Sequence, residues 1–239
     1  KQKKNNRDLN TYGFEHTAPH SIATHLYYTD GSPDNLLLSG KNSKKTYSNF
    51  YGWPTNKIIE TFPSRYKDFK QKNFLGFLFL PYDFISGKKI IEGLSSYFSS
   101  IPDNSQAKLI IKIHPVKLND PKHISLKIEL ESVILKYKKK FNNKKNNKLV
   151  IVVGFTSTAI VALEFGLSVL HICPNPYLDS YSNYFWPNIN IKRIDTYCFL
   201  YKLTKKNRYL NFKLKDKIKE ILKNKNLKNK INSNFMKKK

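Results

Sequence analysis

Short, wholly apolar runs along this chain alternate with longer stretches in which apolar residues recur every three or four positions. Leu36, Leu37 and Leu38, ending at Ser39 and Gly40, predict a short buried strand, and the preceding Asp30-Gly31-Ser32-Pro33-Asp34 predicts a turn. Residues 43–50 suit a helix closed by Gly52-Trp53-Pro54, and residues 57–60 predict a further strand. Strand, short helix and strand in succession read as the end of one α/β domain, with residues 1–10 disordered ahead of it.

A clearer unit starts at Phe74. Residues 74–80 form an apolar strand candidate followed by a loop at Pro81-Tyr82-Asp83, and residues 88–98 place Ile90, Ile91, Leu94 and Phe98 on one helical face. Residues 108–113 predict the next strand, and residues 121–140 a helix with Leu126, Leu130, Val133 and Tyr137 at helical spacing. After a polar loop at 142–148 comes a buried strand at 149–153, a helix running to Glu164, and a strand at 168–172. Strands apolar throughout and alternating with helices predict a parallel sheet covered on both faces. Such crossovers are right-handed, and ligands bind beyond the carboxyl ends of the strands.

That rule selects two clusters. His114 and Pro115 follow one strand; Gly154, Thr156, Ser157 and Thr158 follow another. A glycine lets the backbone approach a ligand, and hydroxyls with free N–H groups at a helix start bind phosphate. A single hydroxyl there would be a helix cap. Three in succession before Ala159 favour a ligand.

Composition narrows the partners. The 40% hydrophobic content is that of a globular chain, and no apolar run approaches the ~20 residues that span a bilayer. No signal peptide is expected from the opening residues, and two cysteines, Cys173 and Cys198, fit a reducing cytoplasm. No set of metal ligands is visible. The formal charge is +26, and half of it lies from Lys202 onward, where 15 Lys or Arg face Asp216 and Glu220. Leu210, Phe212, Leu214, Ile218, Ile221 and Leu222 keep rough helical spacing among those lysines, which predicts a basic amphipathic helix. Two uses fit it: lying on an anionic membrane surface, at about 1 kcal/mol per well-placed Lys, or closing on the body of the protein. The tail has no recognised nucleic-acid motif and no interleaved aromatics, so nucleic acid is not the expected partner.

The same residues resemble a known family. Ile110-Ile111-Lys112-Ile113-His114-Pro115, then Thr156-Ser157-Thr158-Ala159 with Glu164 and Gly166, is similar to the C-terminal half of bacterial GT-B enzymes of surface-polysaccharide synthesis. That group includes sialyltransferases, polysialyltransferases, Kdo transferases and CDP-glycerol glycerophosphotransferases. Upstream, Glu15-His16-Thr17-Ala18-Pro19, residues 33–40, residues 51–58 and Ser64-Arg65-Tyr66 resemble the N-terminal domain and the run leading out of it. Only 15 residues precede His16, so most of the usual acceptor domain is expected to lie outside this chain.

The resemblance implies a GT-B-like α/β fold. A partial acceptor-side segment would occupy 1–70, a Rossmann-type donor domain 71–200, and the basic tail 201–239. It implies a metal-independent glycosyltransferase working in the cytoplasm or at the inner face of the membrane, with no cofactor. The nucleotide-sugar donor, CMP- or CDP-linked, is its substrate, and a glycan or glycolipid of capsule or lipooligosaccharide is the acceptor. In this reading His16, or Asp30 of a departing acidic-acidic-Gly motif in which Thr29 replaces one carboxylate, is the base. His114 stabilises the leaving phosphate with Pro115, Gly154 and the three hydroxyls; Arg65 or Lys112 adds positive charge, and Glu164 either binds a ribose hydroxyl or is an ordinary glutamate of the helix surface. The alternative is a non-catalytic or truncated remnant that binds the nucleotide only.

Overall fold

The computed structural model describes residues 10–15, 27–61, 74–101, 109–137 and 149–204. Of the N-terminal disorder expected at 1–10, residues 1–9 lie outside these residues, as do the loop at 142–148 and the tail beyond 204.

Two sheets organise the chain. The first is parallel and runs β1 (Tyr12–Phe14), β2 (Asn35–Ser39), β3 (Ile58–Thr61) in that spatial order. Helix α1 (Lys41–Phe50) links β2 to β3, and Tyr47, Tyr51 and Trp53 pack with Leu36, Leu38 and Ile58 into one small core. A clasp fixes the entries of β1 and β2: Thr11 donates from N and Oγ1 to Asp34 Oδ2 at 2.9 and 2.8 Å, and Asp34 N donates to Thr11 Oγ1 at 3.0 Å.

The second sheet contains β4 (Phe77–Phe79), β5 (Ile110–Lys112), β6 (Leu149–Val153), β7 (Ser168–Ile172), β8 (Ile189–Asp195) and β9 (Cys198–Leu203), in the order β5-β4-β6-β7-β9-β8. The first four are mutually parallel, as their apolar runs predict; β9 pairs antiparallel with both β7 and β8. The sheet is therefore mixed rather than wholly parallel. A two-residue turn at Thr196 and Tyr197 returns the chain on itself, and such a short connection can only join antiparallel strands. β9 also takes the first residues expected in the basic tail, through Leu203. The chain is an α/β protein whose parallel-containing sheet is compatible with the Rossmann-like class.

The pleat of β6 and β7 divides the core. Ile151, Val153, Leu170 and Ile172 face α2 (Gly87–Ser100) and α3 (Pro121–Lys136), meeting Ile90, Leu94, Phe98, Leu126 and Leu130. Val150, Val152 and Val169 face α4 (Thr158–Glu164), together with Trp186 and Tyr201. Each such side chain contributes about 1.5–3 kcal/mol on full burial. Helix α2 lies close to the sheet because position 93 is glycine: a Cβ there would stand 2.9 Å from Ile172 Cγ2. Helix α3 begins at a cap, with Lys122 N donating to Asp120 Oδ1 at 2.9 Å, and ends at Lys136, short of the expected residue 140. The two units touch where Asn42 Nδ2 donates to Phe185 O at 3.1 Å and the Phe50 ring packs on Tyr184 and Phe185. Among the described residues no helix is long and apolar enough to cross a membrane.

Candidate functional site

From β4 the chain steps outward to β5 and then returns to pair β6 on the other side of β4. Loops leaving the carboxyl ends of β4 and β6 therefore diverge, which opens a crevice at the switch in strand order. A cleft of about 1010 Å³ lies there. One wall comes from the three strand ends: Leu80, Pro81 and Tyr82 after β4, Lys112 to Pro115 at β5, and Phe155 to Thr158 after β6. The facing wall comes from the first sheet, with Phe14, Glu15, Tyr27, Ser32, Tyr47 and Trp53.

On the β5 side, His114 is partly buried and leads into a 3-10 turn, Pro115–Lys117. Its Nδ1 accepts a long bond, 3.4 Å, from Val116 N, and its ring stands edge-on to Tyr82 at 5.5 Å between centroids. A neutral ring that accepts at Nδ1 carries its proton on Nε2, so its other nitrogen is a donor. The exposed Lys112 lines the same wall with its Nζ 3.6 Å above the Phe77 ring, and Pro115 is exposed beside it.

The β6 loop is held from beneath. Gly154 has φ +60, a conformation that excludes a β-carbon without strain. Its N–H donates to Ile172 O at 2.7 Å, and its carbonyl accepts from His171 Nε2 at 2.7 Å. His171 is fully buried, and that burial lowers its pKa to about 4 against the rise from the Gly154 bond; the ring is neutral. Tyr181 Oη donates to Thr156 O at 2.7 Å. Thr158 N donates to Thr156 Oγ1 at 3.2 Å, and the two hydroxyl oxygens lie 3.0 Å apart. Thr156 thus caps the loop, while Ser157 at the cap position of α4 makes no capping bond with its side chain. The β4 loop has a similar support: buried His123 places Nε2 3.2 Å from Pro81 O, with Asp120 Oδ1 3.5 Å from its Nδ1.

Across the cleft, Glu15 follows β1 and is tied to the sheet edge by its N–H, which donates to Leu37 O at 3.2 Å. It is the sole carboxylate among the described residues that line the cleft. Burial pushes its carboxyl up to about 7, partly offset by the Tyr47 hydroxyl. Tyr47 is itself fully buried, and burial together with the Glu15 carboxylate pushes its phenol upward.

The structure thus gathers His114, Pro115, Lys112, Thr156, Ser157 and Thr158 into one cleft. Three expected residues fall elsewhere. Asp30 is exposed at the corner of a turn closed by Ser32 N donating to Thr29 O at 2.9 Å; its neighbours Thr29 and Gly31 line the cleft, and Asp30 does not. Gly154 is buried and turns the chain; it borders a separate cavity of about 220 Å³ with Asp83 and Asp179 rather than the cleft. Glu164 is 2% exposed at the far end of α4, packed into the core away from the cleft lining, so burial removes it from a ribose hydroxyl there. His16 and Arg65 lie outside the described residues. Among the described residues no group of three or more His, Cys, Asp or Glu is placed to hold a metal ion. Burial pushes both thiols upward, the Cys198 group to about 12, which leaves them protonated. Comparison with protein-family models, with curated proteins and with solved structures finds no match.

Proposed function

We propose that this chain is a glycosyltransferase of GT-B arrangement that takes a sugar from a CMP- or CDP-linked donor and adds it to a bacterial surface glycan. The observation that supports it is the meeting of His114 and Lys112 with three consecutive hydroxyl residues in one cleft, at the carboxyl ends of the parallel strands β4, β5 and β6. A phosphate needs donors and positive charge on one side. The imidazole and the hydroxyls supply donors, and the Lys112 ammonium, resting on the Phe77 ring, supplies charge by turning into the cleft that its side chain lines. The opposite wall offers the exposed rings of Tyr27 and Phe14, and aromatic rings suit the CH surface of a sugar. The choice of cytidine and of a surface-glycan acceptor rests on the resemblance carried by His114-Pro115 and Thr156-Ser157-Thr158. In this reading the leaving phosphate is stabilised by His114, Lys112 and the hydroxyls, with no step assigned to a metal. The enzyme works on the cytoplasmic side, where its basic tail meets the anionic inner face of the membrane.

Thermal shift with CMP, CDP, UDP, GDP and ADP tests it. A ligand at a hundred times its Kd adds about 2.7 kcal/mol to stability. CMP or CDP should raise the melting temperature and the other three should not; equal response to all five contradicts the reading. Cytidine binding with no donor turnover would mark a nucleotide-binding remnant instead.

A further inference from the structure

The sequence resemblance singles out His16 of the run Glu15-His16-Thr17-Ala18-Pro19, yet it is Glu15, just past the carboxyl end of β1, that has the position a transfer reaction requires. Its backbone is fixed at the carboxyl end of β1 by the bond to Leu37 O, so the side chain is carried by a sheet edge rather than a free loop. It lines the cleft from the wall opposite His114, Lys112 and the three hydroxyls. Behind it stands the buried hydroxyl of Tyr47 on α1. Asp30, the other described candidate base, is turned out at an exposed corner.

We propose that Glu15 takes the proton from the attacking hydroxyl of the acceptor, a catalytic residue that the first sheet supplies to the phosphate site of the second. This rests on the transferase reading above. In the step, the acceptor O–H bond breaks and its proton goes to a Glu15 carboxylate oxygen. The freed oxygen pair forms a bond to the donor carbon, and the bond from that carbon to the phosphate oxygen breaks. Its electron pair leaves with the cytidine nucleotide, held by His114, Lys112 and the hydroxyls. Glu15 then returns the proton to water, so no further reactant is needed.

A carboxylate of ordinary acidity is a weak base at neutral pH, and a base works best when its pKa lies near the working pH. Burial brings Glu15 into that range, at about 7. Among the described residues, the titratable or charged groups that line the cleft with it are Tyr47 from α1, Tyr27 from the loop before β2, Tyr82 after β4, and Lys112 and His114 at β5.

The test uses the full chain, CMP and CDP as binding probes, and release of CMP from a CMP-linked sugar with an acceptor glycan as turnover. Glu15→Gln should bind the nucleotide as the wild type does, lose about 10²–10⁴-fold in turnover, and lose the rise of turnover with pH near 7. Glu15→Asp, which keeps a carboxylate, should recover part of the rate with that rise displaced. If Glu15→Gln does not fold, an unaltered rate and pH profile in Glu15→Asp overturn the proposal. Turnover by Glu15→Gln within about threefold of the wild type, with the same pH rise, also overturns it and leaves the transferase reading standing. So does a pH rise abolished by His16→Asn but kept by Glu15→Gln. A wild type that neither binds CMP or CDP nor releases CMP removes the transferase reading and this step with it.

Discussion

At position 114 an imidazole accepts weakly from the Val116 N–H, stands beside Tyr82, and remains partly accessible to a cleft whose other donors are Lys112 and three hydroxyls. The ring is only partly buried, so replacing it by alanine opens no closed cavity. The long bond from Val116 N that it removes is worth roughly 0.5–1.5 kcal/mol, and the edge-on contact with Tyr82 goes with it. Loss of a donor aimed at a leaving phosphate is a larger effect, about 2.7–4 kcal/mol of transition-state energy or ~10²–10³ in rate. His114→Ala should therefore lose turnover far out of proportion to stability. Urea unfolding and initial-rate measurements on the same preparation check this, and near-normal turnover per folded molecule would take His114 off the catalytic residues.

The elements that hold the cleft loops are braced by buried polar side chains, and His171 on β7 shows what that bracing costs. Its folded pKa of about 4 lies below its ordinary 6.5, so folding favours the neutral ring. The unfolded chain takes up a proton below 6.5 that the folded chain refuses until about 4. The stability His171 contributes is thus full above pH 6.5 and is lost as pH falls from there to about 4. His171→Phe should flatten the pH dependence across that window. At pH 7.5 it should also lower stability by about 1–3 kcal/mol, because the Gly154 carbonyl loses its donor. Denaturant unfolding at a series of pH values reads both effects. The parallel strands were legible in the sequence because burial on two faces demands runs such as Leu149-Val150-Ile151-Val152-Val153. The hairpin of β8 and β9 was not: Asn190, Lys192, Arg193 and Lys202 are exposed, and a half-exposed pair written with charges looks like a polar surface. β1 was missed because three residues, Tyr-Gly-Phe, carry no period. The site divides in the same way. His114 and Thr156 to Thr158 follow strands that can be read, whereas Glu15 follows one that cannot. Its partner Tyr47 lies on a helix 32 residues later, so only the fold brings the two together.

Across the whole molecule, the carboxyl ends of two sheets face a single cleft, with cation and hydroxyl donors on one side and a carboxylate on the other. The +26 charge adds a general attraction for phosphate that weakens with salt and does not by itself choose a nucleotide. The central claim is that a cytidine nucleotide binds in that cleft against His114. Proton–nitrogen NMR of the chain labelled at its six histidines tests it directly, with the His114 signal assigned by its loss in His114→Asn. As CMP or CDP is added, the His114 ring resonances should move and saturate together with the nucleotide's own phosphorus signal. The buried rings of His123 and His171 should shift much less. Saturation of the phosphorus signal with the His114 resonances unmoved would contradict the account.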